Sequence, residues 1–421
     1  MNLTNIAVIE NIVEQHAEEA AFLWLLRDDA VQAPHYSLQD LADLDERVEA
    51  HIDGLRIAGD VGWSICADAL AQQEEPGEMF AYAVLAFESG QDQRIKMVLE
   101  VAATKPELSR GLISALGWLR FDQVKGHIDQ LLRSSAPELR RIGVAASAVH
   151  RQDLGSVLID ALNDDDTFLK ACAIRAVGKL GRIDLLPILK KQLAAEDKDC
   201  RFWSGWSAVL LGDRDDALEL LKAVAVSESP FQGRSLQVAL RAMDNADAQK
   251  WLKDQAQHPD LLRYAIIGAG VIGDPVYIPW LIEQMEMPDH VRVAGEAFTM
   301  ITGVDIAYED LEGEWPERFE AGPTESPEDE DVEMDQDEDL PWPDPELILG
   351  WWEENRGVFR NGTRYLLEKP ISSEHLQHVL RHGFQRQRAT AALELAMMHP
   401  VQPLFEVRAP GFRQQQILGL K

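Results

Sequence analysis

Two groups of residues have types and spacing that could do chemistry: histidines near the C-terminus and aspartates at regular intervals along the chain. His375, His378 and His382 stand at i, i+3 and i+7, beside Glu374. On a helix they can share one face, and three imidazoles with a carboxylate could suit zinc or nickel. The outer two would lie roughly 10 Å apart by helical rise, so one straight helix does not close a tetrahedral site. They read as surface or partner-facing histidines, and no metal or cofactor is expected. The aspartates gather as Asp164, Asp165 and Asp166, then Asp197 and Asp199, then Asp213, Asp215 and Asp216. A further run, Glu328, Asp329, Glu330 and Asp331, sits in the stretch 325–339, which holds ten acids. With acids so abundant, no pair identifies a general acid and base. Walker A, GxSxG, HExxH and CxxC patterns are absent, and the acidic run lacks the glycine turn and spaced ligands of a calcium loop. An enzyme is not expected.

The elements that must position these residues recur. Helix starts at 76, 106, 137, 166, 198, 230, 259 and 288 are separated by 29 to 32 residues. Proline or an acid stands at most of them, which suits a first helical turn with free N–H groups and a positive dipole end. The clearest block runs from Asp166 to Asp197. Its first helix carries Ala171, Ala173, Ala176 and Gly178 on one side, with Leu169, Cys172, Val177 and Leu180 as apolar bulk. Gly181 stops it, and a second helix follows over Leu185 to Leu193 with Pro187 near its start. A period this regular predicts an all-α solenoid of stacked antiparallel helix pairs over 76–303. Equivalent loops of a solenoid line up along one edge. The joint aspartates therefore read either as an anionic strip facing a basic partner or as helix caps that also aid solubility. Trp203 and Trp206, at i and i+3, read as packing.

Residues 1–75 form a helical cap in this reading. A first helix capped by Thr4 or Asn5 runs to about Arg27, a second starts at Ser37, and a third runs from Asp60 through Leu70. His16 and His51 lie near their stripes as edge histidines. Residues 304–340 read as an extended acidic linker, because self-repelling sequence cannot form a packed core. Residues 341–421 read as a small C-terminal helical segment in which Asp344 caps a helix carrying Leu347, Ile348, Trp351 and Trp352. From 356 onward, ten basic side chains stand against four acidic ones, in a chain of formal net charge −32. This basic segment is expected to contact the acidic linker or the repeats of its own chain. The overall charge disfavours direct nucleic-acid binding and favours basic partners. Cys66, Cys172 and Cys200 show no paired spacing and read as reduced core thiols, as in a cytoplasm. Neither a signal-peptide pattern nor a membrane-spanning run is present, so a cytoplasmic protein is expected.

The repeat grammar resembles HEAT-like repeats, in particular the short bacterial kind also seen in phycobilin-lyase-type proteins; nothing in the sequence marks a chromophore pocket. The stretches Phe298-TMITGVDI, Val332-EMDQDEDLPWPDPELILGWW, Gly362-TRYL, Leu376-QHVLRHGFQRQRATAALELA and Ala409-PGFRQ resemble a family of bacterial HEAT-like proteins encoded in type VI secretion loci. The resemblance carries no catalytic residues. It implies a cytoplasmic binding protein that works with a secreted toxin or its delivery machinery. The expected function is an immunity protein that captures a cognate effector, a basic nuclease being the natural case. The alternative is an adaptor that loads an effector onto the spike protein. The residues expected to meet the partner are the joint aspartates and Glu328 to Asp331.

Overall fold

The computed structural model describes residues 8–316, 319, 321–322 and 335–420. Thr4, Asn5, Glu328, Asp329, Glu330 and Asp331 lie outside these. The described chain is mostly α-helical. It forms two compact units, one built from 1–211 together with 380–421 and the other from 212–379.

The first unit starts with α1 (Glu10–Ala30), α2 (Leu38–Ala58) and α3 (Asp60–Gln73). Ser37 caps α2 in a reciprocal box with Asp40, satisfying two orphan donors. The repeating blocks then supply α4 (Pro76–Ser89), α5 (Asp92–Thr104), α6 (Ser109–Trp118), α7 (Phe121–Leu132), α8 (Pro137–Val149), α9 (Ser156–Leu162), α10 (Thr167–Lys179), α11 (Leu186–Gln192) and α12 (Lys198–Leu210). Pro76 and Pro137 occupy the first turns of their helices, where the missing N–H has no partner to lose. First helices pack on first helices, α4 on α6, α6 on α8, α8 on α10 and α10 on α12. The second helix of a block packs on the first helix of the next, as α7 on α8, α9 on α10 and α11 on α12. The small residues explain the close approach. A Cβ added at Gly178 would stand 2.8 Å from the Cα of Ser207 in α12. The Ser207 hydroxyl donates across the same contact to the carbonyl of Ile174 at 2.9 Å. Trp203 and Trp206 are buried and meet edge to face at 5.5 Å, so they serve packing.

The second unit holds α13 (Asp216–Ala225), α14 (Gln232–Ala242), α15 (Asn245–Gln255), α16 (Leu262–Ile272), α17 (Ile278–Gln284), α18 (Val291–Thr302) and α19 (Pro345–Asn355). It repeats the same packing, α14 on α16 and α16 on α18, with α13, α15 and α17 each against the following first helix. Asp344 caps α19 by accepting from the amides of Glu346 and Leu347. The ribbon of β1 (Tyr365–Leu366) and β2 (Lys369–Pro370) lies against α18. The chain passes back into the first unit within α20 (Ser373–His382), then forms α21 (Gln385–Met398) and α22 (Gly411–Leu418). One continuous apolar core runs from Val13 to Ala146 in the first unit, and another from Ala225 to Tyr365 in the second.

Candidate functional site

On α20 the rings of His375 and His378 stack 6.4 Å apart. His375 is buried, and its Nε2 meets the backbone carbonyl of Leu366 at 2.6 Å, which ties α20 to β1. That nitrogen is committed to a structural bond, so His375 is neither a surface nor a partner-facing residue. His378 and His382 are exposed. Among the described residues, no group of three or more His, Cys, Asp or Glu side chains could hold a metal ion. His16 and His51 contact each other, Nδ1 to Nδ1 at 3.2 Å, and burial with the neighbouring His16 lowers the His51 pKa. Burial raises the thiols of Cys66 and Cys200 to about 12, so both are inert neutral groups.

The joint aspartates of the first unit are largely occupied with local structure. Asp166 caps α10 through the Leu169 amide at 2.7 Å, and Asp197 caps α12 through the Cys200 amide at 2.7 Å. Asp164 accepts from the Asp166 amide and from Arg140, which together hold its carboxyl below the usual range. Asp165 and Asp199 are exposed, and partial burial with the neighbouring Asp197 raises the Asp199 pKa. In the second unit Asp213 is buried, Asp215 precedes α13, and Asp216 opens it with exposed side chains at both 215 and 216.

The most developed charged constellation of the second unit involves residues that sequence reasoning passed over. Arg292 on α18 is 4% exposed and grips Asp335 through two hydrogen bonds of 2.6 and 2.9 Å. It also donates to the carbonyl of Asp337 at 2.7 Å. Arg263 on α16 grips the Asp337 carboxylate at 2.8 and 2.6 Å. The Arg292 guanidinium stacks 5.0 Å from the ring centre of Trp315, which packs with Phe319 and Trp342. Planar forks facing carboxylates two by two are the strong form of the ion pair. Burial acts to raise Asp335, but the Arg292 hydrogen bonds outweigh it and the pKa is lowered. The end of the acidic stretch is thus held by the repeats and not, at these two residues, by the basic C-terminal segment. A signal existed. The fifth residue of each block is basic in six of eight, at Arg110, Arg141, Lys170, Arg234, Arg263 and Arg292.

The basic C-terminal segment docks on the repeats of its own unit. Arg413 donates to the carbonyls of Gly117, Trp118 and Leu119 at 2.6 to 2.9 Å, satisfying the orphan acceptors at the end of α6 with a cation. Arg408 pairs with Asp28, and Asp45 accepts from Arg27 and from the Gly411 amide. Arg386 donates to the Gln32 carbonyl. Glu406 reaches Arg151 at 3.0 Å and Lys179 at 3.1 Å. Arg388 is fully buried and links α21 to α20 and α22, through Gln385, the Leu380 carbonyl and Gln414. A separate open groove of about 400 Å³ lies between α5, α7 and α8, lined by Ile95, Leu99, His127 and Leu139 with Lys96 and Glu100 at its rim. No helix among the described residues is long and apolar enough to cross a membrane. No protein-family model, curated protein or solved structure matches this chain.

Proposed function

We propose that this is a non-enzymatic, protein-binding HEAT-like α-solenoid of antiparallel helix pairs. We further propose that it serves as a cytoplasmic type VI immunity protein, capturing a basic effector toxin in the producing cell. The observation that carries the binding reading is repetition. First helices stack on first helices at a period of 29 to 32 residues, and such stacks present extended surfaces suited to gripping another protein. The excess of 72 acidic over 40 basic side chains supports a basic partner, whose encounter a strong opposite field accelerates. The type VI context rests on the resemblance of the C-terminal stretches. The test is co-expression with the effector encoded beside it. Protection from toxicity is expected, together with a stoichiometric complex that survives about 0.5 M salt, where surface charges are screened. Retention of effector and spike without protection would replace immunity by the adaptor role, and absence of any interaction would remove both.

A further inference from the structure

The two arginine clamps of the second unit have a register. Arg263 and Arg292 occupy the same place in consecutive blocks, on packed helices α16 and α18, and Arg234 occupies it on α14. Asp335 sits on Arg292, and Asp337, two residues on, sits on Arg263. Each block thus takes one carboxylate, and the peptide advances two residues per block. Asp335 also accepts from the Asp337 amide at 2.9 Å, which sets the bend between them. Burying two fork-on-carboxylate pairs side by side gives up solvation that apolar packing would not lose, so the charges select what rests there. Arg263 stays partly exposed, whereas Arg292 is covered by Trp315, itself 48% exposed, so the ladder opens to solvent at the Arg263 rung.

We propose that Arg234, Arg263 and Arg292 form a ladder that binds acidic peptides carrying a carboxylate at every second residue. The chain's own Asp335, Asp337 and Asp339 are its resident ligand, with Asp339 on the Arg234 rung, and a partner's acidic segment of the same spacing competes for it. This binding site stands apart from the capture of a basic partner, and either can fail without the other.

The test uses the full chain with Asp335, Asp337 and Asp339 all changed to Asn, which keeps shape and removes the resident charge. A fluorescent peptide of residues 335–341 (Asp-Gln-Asp-Glu-Asp-Leu-Pro) is titrated at about 0.1 M salt and followed by anisotropy. One peptide should bind per chain, at least tenfold more tightly than to the unaltered chain. Adding Arg263→Ala or Arg292→Ala should weaken it roughly tenfold to a hundredfold, as expected for charge-assisted bonds. A peptide of the same composition with its acids contiguous should bind about tenfold less well. Equal binding to both chains, equal binding of both peptides, or no binding to the Asn variant would overturn the proposal. In case that variant folds poorly, Arg234→Ala in the otherwise unaltered chain gives an independent reading. Amide exchange at Asp339 and Leu340 should speed up about tenfold, and unchanged exchange would refute the third rung.

Discussion

Glu406 is one carboxylate among three cations: Lys179 and Arg151 within 3.1 Å, and Arg175 acting through space. Burial alone would raise its pKa, but the cations hold it well below the ordinary 4.5. Lys179 moves the same way, down to about 8, because burial and the two arginines outweigh the single carboxylate. The imbalance makes the members unequal. Glu406→Gln removes the one carboxylate that Lys179 and Arg151 share and is expected to destabilise by about 3 kcal/mol or more. Lys179→Met leaves Glu406 with two arginines, and should lose about 1 kcal/mol or less. Urea unfolding at pH 7 checks the ranking, and equal losses would refute it. The sign of the pH dependence follows from the depressed pKa. The Glu406 contribution is fully present above 4.5 and declines as pH falls toward its folded value, so the gap between wild type and Glu406→Gln should narrow below pH 4.5.

At the scale of elements, the joint after α16 shows what a local signal can and cannot announce. Gly273 ends the helix at φ +72°, and its carbonyl accepts from the Tyr365 amide of β1 at 2.8 Å. A Cβ there would stand 2.2 Å from the Tyr365 oxygen. Next to it, the fully buried Asp274 carboxylate gathers the Gly362 amide and the side chains of Asn245 and Gln249. Gly273→Ala therefore meets both a left-handed backbone and a clash with a strand, and should destabilise by about 2 kcal/mol or more. Gly126→Ala in α7, where nothing lies within 4 Å, should instead stabilise by up to about 1 kcal/mol. Thermal melts of both variants check the opposed signs. The helix starts at Ser37 and Asp344 were legible in the sequence, because each is decided within a few residues. The strand that Gly273 receives was not, since its partner lies some ninety residues on and offers a backbone amide, which no residue type advertises. The candidate site divides the same way. The joint acids were visible as acids, and their capping role was one of two open readings. The arginines that hold Asp335 and Asp337 were hidden because basic residues read as solvated until the repeat register is laid over them.

At the scale of the molecule, the first unit is discontinuous in sequence, leaving at 211 and resuming at 380, while the second is one unbroken stretch. The difference has an energetic consequence. Residues 212–379 contain their own apolar core and both partners of the Arg263–Asp337 and Arg292–Asp335 clamps, so this fragment should fold alone with a cooperative melt. Residues 1–211 alone cannot complete theirs. They keep Asp45 without the Gly411 amide and Lys179 without Glu406, and they leave the carbonyls that end α6 without Arg413. Each loss removes a charge-assisted hydrogen bond, at about 1.5–3 kcal/mol apiece, which together are a large share of the stability of a typical domain. The fragment 1–211 should therefore be expanded or aggregation-prone by circular dichroism and light scattering, and adding a peptide of residues 380–421 should restore a cooperative melt. An isolated 1–211 that melts as sharply with the peptide as without it would mean that the apolar core from Val13 to Ala146 suffices, and that the C-terminal arginines decorate a unit they do not hold together.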